Sequence, residues 1–432
     1  MSEVVTPPDH WRDILLGDVA TCTLGGTPST EVPLFWGGTI PWMASGDVNL
    51  KRVQDVPGRI TEAGLAASNA TLVDPPAVAV GLAGQGKTRG TVALTLSRLC
   101  TNQSIALLKG RDELLTTFLF YNLERRYEEL RARSSGGGRG GLSKGILEKV
   151  PLNLPPLPEQ TKIAEVLDTL DAAIRGTEAV VAKLQAMKQG LLHDLLTRGI
   201  DANGDLRLPQ PEAPHLYHQT PLGWLPKEWD VVPLGSLTLD LAQGWSPDCP
   251  AEAALAHEWG VLKTTAVVWS GYNDHENKRL PEGMKPRPHL QVEAGDILIT
   301  RAGPSSRVAV VAHVSATRDK LMISDKLYRL RVVLQQNPAF LALAMGSTSV
   351  QREITKTISG MAESQTNISQ STLKPLPVPR PSRPEQDAIV QALQAEVKKL
   401  ATEERLLDKL RLQKSGLMDD LLTGRVPVTP LL

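Results

Sequence analysis

One stretch of the chain matches a phosphate-binding pattern. The residues from Gly81 to Thr88 read GLAGQGKT and fit G-x-x-x-x-G-K-[ST] at every position, a loop that binds nucleotide phosphates where it joins a strand to the start of a helix. A strand-like run precedes this loop. The residues after it, 89–95, are rich in β-branched side chains and predict a second strand instead of a helix. A nucleotide-binding enzyme that uses Gly81 to Thr88 is therefore kept only as an alternative.

Basic segments without acidic residues form a second kind of candidate site. Residues 75–111 and 130–147 in the first half, and residues 297–318 in the second, contain Lys or Arg but no Asp or Glu. Small residues let the backbone approach a phosphate, and Arg, Gln and Asn can bond to base edges. The candidates for DNA contact are Gln85, Lys87, Arg89, Arg139, Arg301, Arg307, Gln365 and Asn367. A structural or merely solvated role for any one of them stays open.

Other chemistry finds less support in the sequence. The His and Cys residues form no metal-binding cluster, and no Ser/His/Asp constellation stands out. Three widely spaced cysteines suit a reducing compartment, and 47 basic residues balance 47 acidic ones. The first residues have no apolar core typical of a signal peptide, and no apolar run approaches the ~18 residues of a membrane span. We expect a soluble, cytoplasmic protein without a bound metal or cofactor.

The elements that must position the candidates occur twice. Residues 158–199 and 384–425 align without a gap at an offset of 226, and both begin with Pro-Glu-Gln. Each copy predicts a long helix, because Glu and Gln lie in the first turn and Gly follows the last apolar residue. A run of about 38 residues would form a rod of roughly 57 Å.

Apolar residues in both copies recur at spacings of four and three, which is typical of a coiled-coil seam. The seam residues are Ile163, Leu167, Leu170, Ile174, Leu184, Leu191, Ile389, Leu393, Leu400, Leu407, Leu410 and Leu417. Polar residues interrupt the pattern and can set its register; they are Thr177, Lys188, Glu396, Glu403 and Lys414. Two separate core helices are the alternative, but a narrow seam that occurs twice favours pairing of the two copies.

The regions before the helices share a layout but little sequence. Trp11 and Trp229 each precede a Leu-Gly pair by five residues. Strand-like runs follow at 39–43, 77–82, 91–96 and 104–108, and again at 260–264, 296–300, 307–313 and 327–333. A single helix is predicted over 116–132 and over 338–354. The predicted domains are 1–153 and 223–379 for the globular regions, 154–200 and 380–432 for the helices, and 201–222 for a connector.

This arrangement resembles the specificity subunit of type I restriction–modification systems over nearly the whole chain. The resemblance rests on LPPLPEQTKIAEVLD with KQGLLHDLLTRG, on RPEQDAIVQAL with KSGLMDDLLTGR, and on TPLGWLPKEWDVVPLG. LGGTPS followed by FWGGTIPW is similar to the start of such a domain.

The resemblance implies an α+β fold. Two similar α/β target-recognition domains would be separated by two long helices that form an antiparallel coiled coil, with an internal pseudo-twofold repeat. It also implies binding of double-stranded DNA at a bipartite, asymmetric target, without catalysis by this chain. Two methyltransferase subunits and two restriction (translocase) subunits would be recruited. S-adenosylmethionine, ATP and magnesium would belong to those partners, and the methylated base would be adenine. A coiled-coil protein scaffold is a further alternative.

Overall fold

The computed structural model describes residues 7–84, 86–134, 141–358 and 366–432. The strands of the first half are β1 (Arg12–Leu15), β2 (Ala20–Leu24), β3 (Trp36–Met43), β4 (Arg52–Val53), β5 (Arg59–Ile60), β6 (Ala77–Gly81), β7 (Val92–Thr95), β8 (Cys100–Thr101), β9 (Ile105–Gly110) and β10 (Pro151–Leu154). Its helices are α1 (Leu16–Val19), α2 (Glu62–Ala66), α3 (Thr116–Arg125), α4 (Tyr127–Arg133), α5 (Lys144–Glu148) and the long α6 (Leu157–Thr197).

The second half follows the same order. Its strands are β11 (Tyr217–Thr220), β12 (Gly223–Pro226), β13 (Asp230–Pro233), β14 (Thr238–Gln243), β15 (Gly260–Leu262), β16 (Val267–Val268), β17 (Gly271–Tyr272), β18 (Asn277–Arg279), β19 (Ile297–Thr300), β20 (Ala302–Gly303), β21 (Val311–His313), β22 (Leu321–Met322), β23 (Leu327–Val332), β24 (Thr366–Asn367) and β25 (Pro377–Arg380). Its helices are α7 (Pro338–Met345), α8 (Thr348–Ile358), α9 (Gln370–Leu373) and the long α10 (Arg383–Leu421). Within the described residues, no helix is long and apolar enough to cross a membrane.

The chain forms two compact units. The first comprises Met1–Val180 and Glu403–Leu432, and the second comprises Val181–Thr402. Each unit therefore contains the start of one long helix and the end of the other. In the first unit Asp171 and Glu178 of α6 pair with Lys414 and Arg411 of α10, so the two helices run antiparallel there. The predicted α+β fold with two long repeated helices is confirmed. The finer domain boundaries given above stay a prediction.

In the first unit a five-stranded sheet has the order β2-β9-β6-β7-β4. Its pairs are antiparallel except β4 with β7. Buried Val78 and Leu108 of this sheet, Phe118 of α3 and Ile163 of α6 belong to one hydrophobic core, which also includes Leu421 at the end of α10. A smaller sheet, β5-β3-β8, has a core of its own.

In the second unit a four-stranded sheet has the order β14-β23-β19-β21, and a three-stranded sheet has the order β18-β15-β22. Ile297 and Ile299 of the larger sheet pack with Phe340 of α7, Leu195 of α6 and Ile389 of α10. The strand order repeats that of the first unit, with β19 in the place of β6 and β23 in the place of β9.

Two single-helix predictions and one strand prediction need correction. The helix predicted over 116–132 is broken at Arg126, whose guanidinium bonds to the carbonyl of Pro151 and to Glu129. The helix predicted over 338–354 is interrupted by Gly346 and Ser347. The strand predicted over 307–313 begins only at Val311, because a 3-10 turn and a left-handed residue (Ala309, φ 61°) precede it.

A buried glutamine fixes the place where α6 begins. The side chain of Gln160 is fully buried, and its Oε1 accepts a hydrogen bond from the backbone N–H of Leu115 (2.8 Å) at the start of α3. Its Nε2 donates to the carbonyls of Glu113 and Pro155, at 2.8 Å each. One side chain thus joins the long helix to α3 and to the proline-rich segment before α6.

Gln386 does the same for α10. Its Oε1 accepts from the backbone N–H of Asn337 (2.8 Å) at the start of α7, and its Nε2 donates to the carbonyl of Pro381 (2.9 Å). The glutamine of the Pro-Glu-Gln motif therefore joins each long helix to the globular part of its unit. Gln160 and Gln386 with their partners are here called the glutamine joint. The sequence repeat identified the motif but not this role.

The glutamate of the same motif binds a segment that lies beside the end of the opposite helix. Glu159 accepts a hydrogen bond from the indole N–H of Trp11 (3.1 Å) in the first unit. In the second unit Glu385 accepts from the backbone N–H of Ile200 (2.9 Å) and forms an ion pair with Arg207. The start of one long helix is thereby tied, within each unit, to chain that packs on the end of the other.

All twelve predicted seam residues are buried or half-buried. Ile163 and Leu167 join the core of the first unit, and Ile389 and Leu393 join that of the second. Those near the middle of the helices belong to none of the globular cores of the described residues; they are Leu170, Ile174, Leu184, Leu400, Leu407 and Leu410. The ends of the predicted seam therefore serve the globular cores, and its continuity between the helices stays a prediction.

Lys414, one of the polar interruptions, belongs to an ion cluster in the first unit. Its Nζ lies 2.7 Å from Asp171 of α6 and 2.8 Å from Glu124 of α3, and the side chain is only 16% exposed. The Tyr121 hydroxyl donates to Asp168 (2.7 Å) or to Asp171 (2.9 Å). This cluster joins α10 to α6 and to the globular part of the same unit.

Candidate nucleic-acid interface

Two hairpin loops with the same backbone hydrogen bonds carry most of the predicted DNA-binding residues. In the first unit, Gly81 N–H donates to Thr91 O (3.0 Å), and Gly90 N–H donates to Gly81 O (2.9 Å). In the second, Thr300 N–H donates to Val310 O and Ala309 N–H donates to Thr300 O, at 2.9 Å each. Residues 82–91 and 301–310, here called the first and second reading loops, therefore correspond at an offset of 219.

The backbone conformations of the two loops also correspond. Gly84 (φ 119°) and Gly303 (φ 152°) occupy the same loop position, as do Gly90 (φ 81°) and Ala309 (φ 61°). A left-handed conformation costs an alanine roughly 1–2 kcal/mol. The second loop keeps the shared shape at Ala309 despite that cost, which favours a role for the shape itself.

Each reading loop is held by the helix that follows α3 or α7. In the first unit, Arg131 of α4 donates from Nη1 to Gly86 O (2.7 Å), and the Tyr127 hydroxyl donates to Lys87 O (3.2 Å). In the second, Gln351 of α8 donates to Ala309 O (3.1 Å). These residues escaped the sequence analysis, because a polar side chain on a helix gives no sign that its partner is a distant carbonyl.

The first reading loop carries two of the predicted residues within the described chain. Lys87 is exposed, and its ammonium has no hydrogen-bond or ion-pair partner among the described residues. Arg89 is half-buried, and its carbonyl accepts from Arg131 Nη1 (3.2 Å). Gln85 and Arg139 lie outside the described residues.

In the second reading loop the predicted arginines already have partners. Arg301 donates from Nε to the Tyr328 hydroxyl and from Nη1 to Asp325 O, at 3.0 Å each. Arg307 donates from Nη2 to Thr264 O (2.9 Å). Part of each guanidinium group is therefore used in hydrogen bonds within the unit. Contact of the remaining N–H groups with DNA stays a prediction.

Asn367 lies beside the second loop. It is exposed in β24, and that strand pairs with β20 so that Asn367 is opposite Ala302. Gln365 lies outside the described residues. The topology thus places Arg301, Arg307 and Asn367 on neighbouring segments of one unit, and their contact with DNA stays a prediction.

Equivalent positions of the two loops bear different side chains. Leu82 N–H donates to Ser104 O and Arg301 N–H donates to Lys326 O, both at 2.8 Å, so Leu82 is the counterpart of Arg301. The same offset makes Thr88 the counterpart of Arg307. Two nearly equal backbones therefore present unequal chemical surfaces.

The nucleotide-binding interpretation of Gly81 to Thr88 is wrong. β6 and β7 pair antiparallel, with Ala77 opposite Thr95 and Val80 opposite Val92. The chain after Thr88 is a turn and then a strand, so the helix N-terminus required by a P-loop does not follow it. Among the described residues there is also no group of three or more His, Cys, Asp or Glu that could hold a metal ion.

The chain belongs to the family described as type I restriction modification DNA specificity domains, whose sequence model matches residues 8–186 and 263–412. The type I restriction enzyme EcoEI specificity subunit of Escherichia coli is 42% identical over 182 residues, which are 41% of this chain and 30% of that subunit. The MjaVIII specificity subunit of Methanocaldococcus jannaschii is 21% identical over 440 residues, which are 98% of this chain and 95% of the relative. The predicted membership is confirmed, and a non-catalytic role agrees with it.

Solved structures show the same fold. The S subunit of the type I restriction–modification system from M. genitalium superposes with a TM-score of 0.58 at 15% identity, covering 96% of this chain and 98% of that one. A chain solved for the assembly and conformational transition of the type I R-M system gives a TM-score of 0.56 at 17% identity, covering 98% and 100%.

Proposed function

We propose that this chain is the specificity subunit of a type I restriction–modification complex and recognises a bipartite, asymmetric DNA sequence. The globular part of each unit, residues 1–153 and 223–379, would bind one half-site. The observation that carries the proposal is the pair of reading loops, since equal backbones with unequal side chains suit one task on two different targets. The ammonium of Lys87 is exposed and has no partner in the part of the chain that the structure describes, so it would be available for DNA.

The two long helices would set the distance between the half-sites. A 41-residue helix is on the order of 60 Å long, whereas one helical turn of DNA is ~34–36 Å. A spacer of this length supports recognition of two separated sequence elements. The connector 201–222 and the helix regions 154–200 and 380–432 complete the proposed organisation.

Catalysis would belong to partner subunits that this chain recruits. Two methyltransferase subunits would bring S-adenosylmethionine and methylate adenine, and two restriction subunits would bring ATP and magnesium. Such partners could supply basic surface, which suits a reader whose own formal charge is zero.

The test is genome-wide mapping of adenine methylation in cells that carry the complete system, with and without the gene for this chain. We expect one bipartite motif that is methylated only when the chain is present. Supplying the chain in trans to the deletion strain should restore that motif. A methylation pattern that does not depend on the chain would refute the proposal.

A further inference from the structure

A basic segment of the second unit lies apart from the predicted DNA-binding residues in sequence. Residues 283–292 read GMKPRPHLQV and contain no acidic residue. Lys285, Arg287 and His289 are all exposed. Val292 N–H donates to Leu321 O (2.9 Å) as Val73 N–H donates to Leu99 O (3.0 Å) in the first unit, where residues 65–73 contain no charged side chain. The basic segment is therefore a property of the second unit.

The guanidinium of Arg287 stacks on the ring of Trp245. Its guanidinium carbon lies 4.1 Å from the centroid of the Trp245 ring. Among the described residues the guanidinium has no hydrogen-bond or ion-pair partner, in contrast to that of Arg301. Stacking on an aromatic face restrains a guanidinium and leaves the N–H groups at its edge free for a bidentate acceptor.

The backbone of residues 283–292 is held by hydrogen bonds from a buried arginine. Buried Arg329 donates from Nη1 to His289 O (2.9 Å) and to Gln291 O (2.6 Å), while its Nη2 is held by Asp240 (2.8 Å). Pro286 and Pro288 flank Arg287 and restrict the chain further. The exposed cations are thus presented by an ordered backbone, which lowers the entropy cost of binding.

The segment and the second reading loop meet at one turn. Arg301 of the loop donates to Asp325 O, and Ser246, next to Trp245, donates to the carboxylate of Asp325. Trp245 N–H donates to Ile323 O of the same turn (3.1 Å). Through this turn, Trp245 and the Arg287 stacked on it are connected to the second reading loop.

We propose that Arg287 and Lys285 bind backbone phosphates of the DNA half-site that the second unit reads. This inference rests on the proposed function and adds a phosphate-binding surface to it. Phosphate oxygens are the acceptors that suit a free guanidinium edge and a nearby ammonium. Residues 65–73, at the corresponding place in the first unit, have no charged side chain, so the second half-site would gain contacts that this segment does not offer to the first.

The experiment measures binding of the assembled complex to a duplex with its mapped target and to an unrelated duplex, between 50 and 200 mM salt. We expect Arg287→Ala and Lys285→Ala each to weaken binding to both duplexes about three- to tenfold at the lower salt concentrations. Each should reduce the slope of log K against log salt by about 0.9, the value for one phosphate contact. Arg287→Lys should restore most of the slope, because it keeps the charge.

Arg380→Ala is the matched control, since it removes one positive charge from an exposed arginine of the same unit that is already paired with Asp230 (2.6 Å). The inference fails if the Arg287 and Lys285 variants behave like this control. It also fails if they lose affinity only for the mapped target at an unchanged salt slope, because that result indicates base contact. If the unaltered complex shows no salt-dependent DNA affinity, the proposed function fails as well.

Discussion

At the scale of the residue, the glutamine joint shows how one buried amide can hold several backbone groups. Gln160 satisfies a backbone N–H and two carbonyls, of which that of Pro155 lies in a buried bond and the other two groups in partly buried ones. Leaving a buried polar group unsatisfied costs about 1–3 kcal/mol. The bond to a backbone N–H and the bond to a proline carbonyl recur at Gln386, which indicates that both units use the same joint.

Replacing this amide should be costly. We expect Gln160→Ala to lower the free energy of unfolding of the first unit by about 2–5 kcal/mol, because it orphans three backbone groups and leaves a cavity. Hydrogen exchange followed unit by unit measures this effect. Gln413→Ala, at an exposed glutamine in the part of α10 that belongs to the same unit, is the control and should change stability by less than about 0.5 kcal/mol. Equal effects of the two substitutions would contradict the role given to Gln160.

Sequence patterns identified the residues of the repeat but not most of their partners. The Pro-Glu-Gln motif was visible because it occurs twice, yet its bonds to Leu115 and Asn337 depend on tertiary approach. The same holds for Arg131 and Gln351, which reach carbonyls that carry no side-chain signal. Lys87 was predictable as a candidate since a basic residue in an acid-free glycine loop is a local feature.

At the scale of the element, the two long helices were well predicted and their surroundings less so. Periodicity and end signals placed the helices within a few residues of Leu157–Thr197 and Arg383–Leu421. The break at Arg126 and the turn before Val311 were not predicted, because side-chain bonds and a strained residue outweigh local propensity there. The sequence also did not predict the ion cluster of Lys414, since the repeat contains a lysine at both 188 and 414 and only Lys414 belongs to such a cluster in the described part of the chain.

The contrast between these two lysines gives a prediction. Lys414→Ala should destabilise the first unit by about 1–3 kcal/mol, because it removes the nearest cation from two largely buried carboxylates. Asp171 keeps Arg52 at 3.2 Å and Glu124 keeps Lys51 at 3.1 Å, which limits the loss. Lys188 has no hydrogen-bond or ion-pair partner among the described residues, since Val397 is at the repeat position of Asp171. Lys188→Ala should therefore change stability by less than about 0.5 kcal/mol in chemical denaturation.

The same cluster should respond to pH at both extremes. Burial would raise the pKa of Asp171, but Lys414, Tyr121 and Arg52 together lower it, so its contribution is lost as pH falls through the folded pKa, below the ordinary 3.8. Burial would lower the pKa of Lys414, but Glu124 and Asp171 raise it, so its contribution is lost as pH rises through the folded pKa, above 10.5. The stability difference between the unaltered chain and Lys414→Ala should be largest between those values. Denaturation series at several pH values would measure it, and a constant difference would contradict the assignment.

At the scale of the whole molecule, duplication with divergence predicts modular exchange. Replacing residues 11–153 with the corresponding region of another family member should change one half of the methylated motif and leave the other half unaltered. Methylation mapping of the hybrid measures this outcome. Exchanging the second globular region in the same way is the reciprocal control. A hybrid in which both halves change would contradict the assignment of one half-site to each region.

The tethering of the reading loops has a consequence for how new specificities arise. The loop ends are fixed by backbone bonds of Gly81 and Thr300, and the helices hold the loops mainly through their carbonyls. These bonds do not depend on the exposed side chains between them, such as that of Lys87. Under the proposed function, point mutations at such positions would change DNA contacts at little cost in folding, so new target sequences could be selected while the backbone of the loop stays the same.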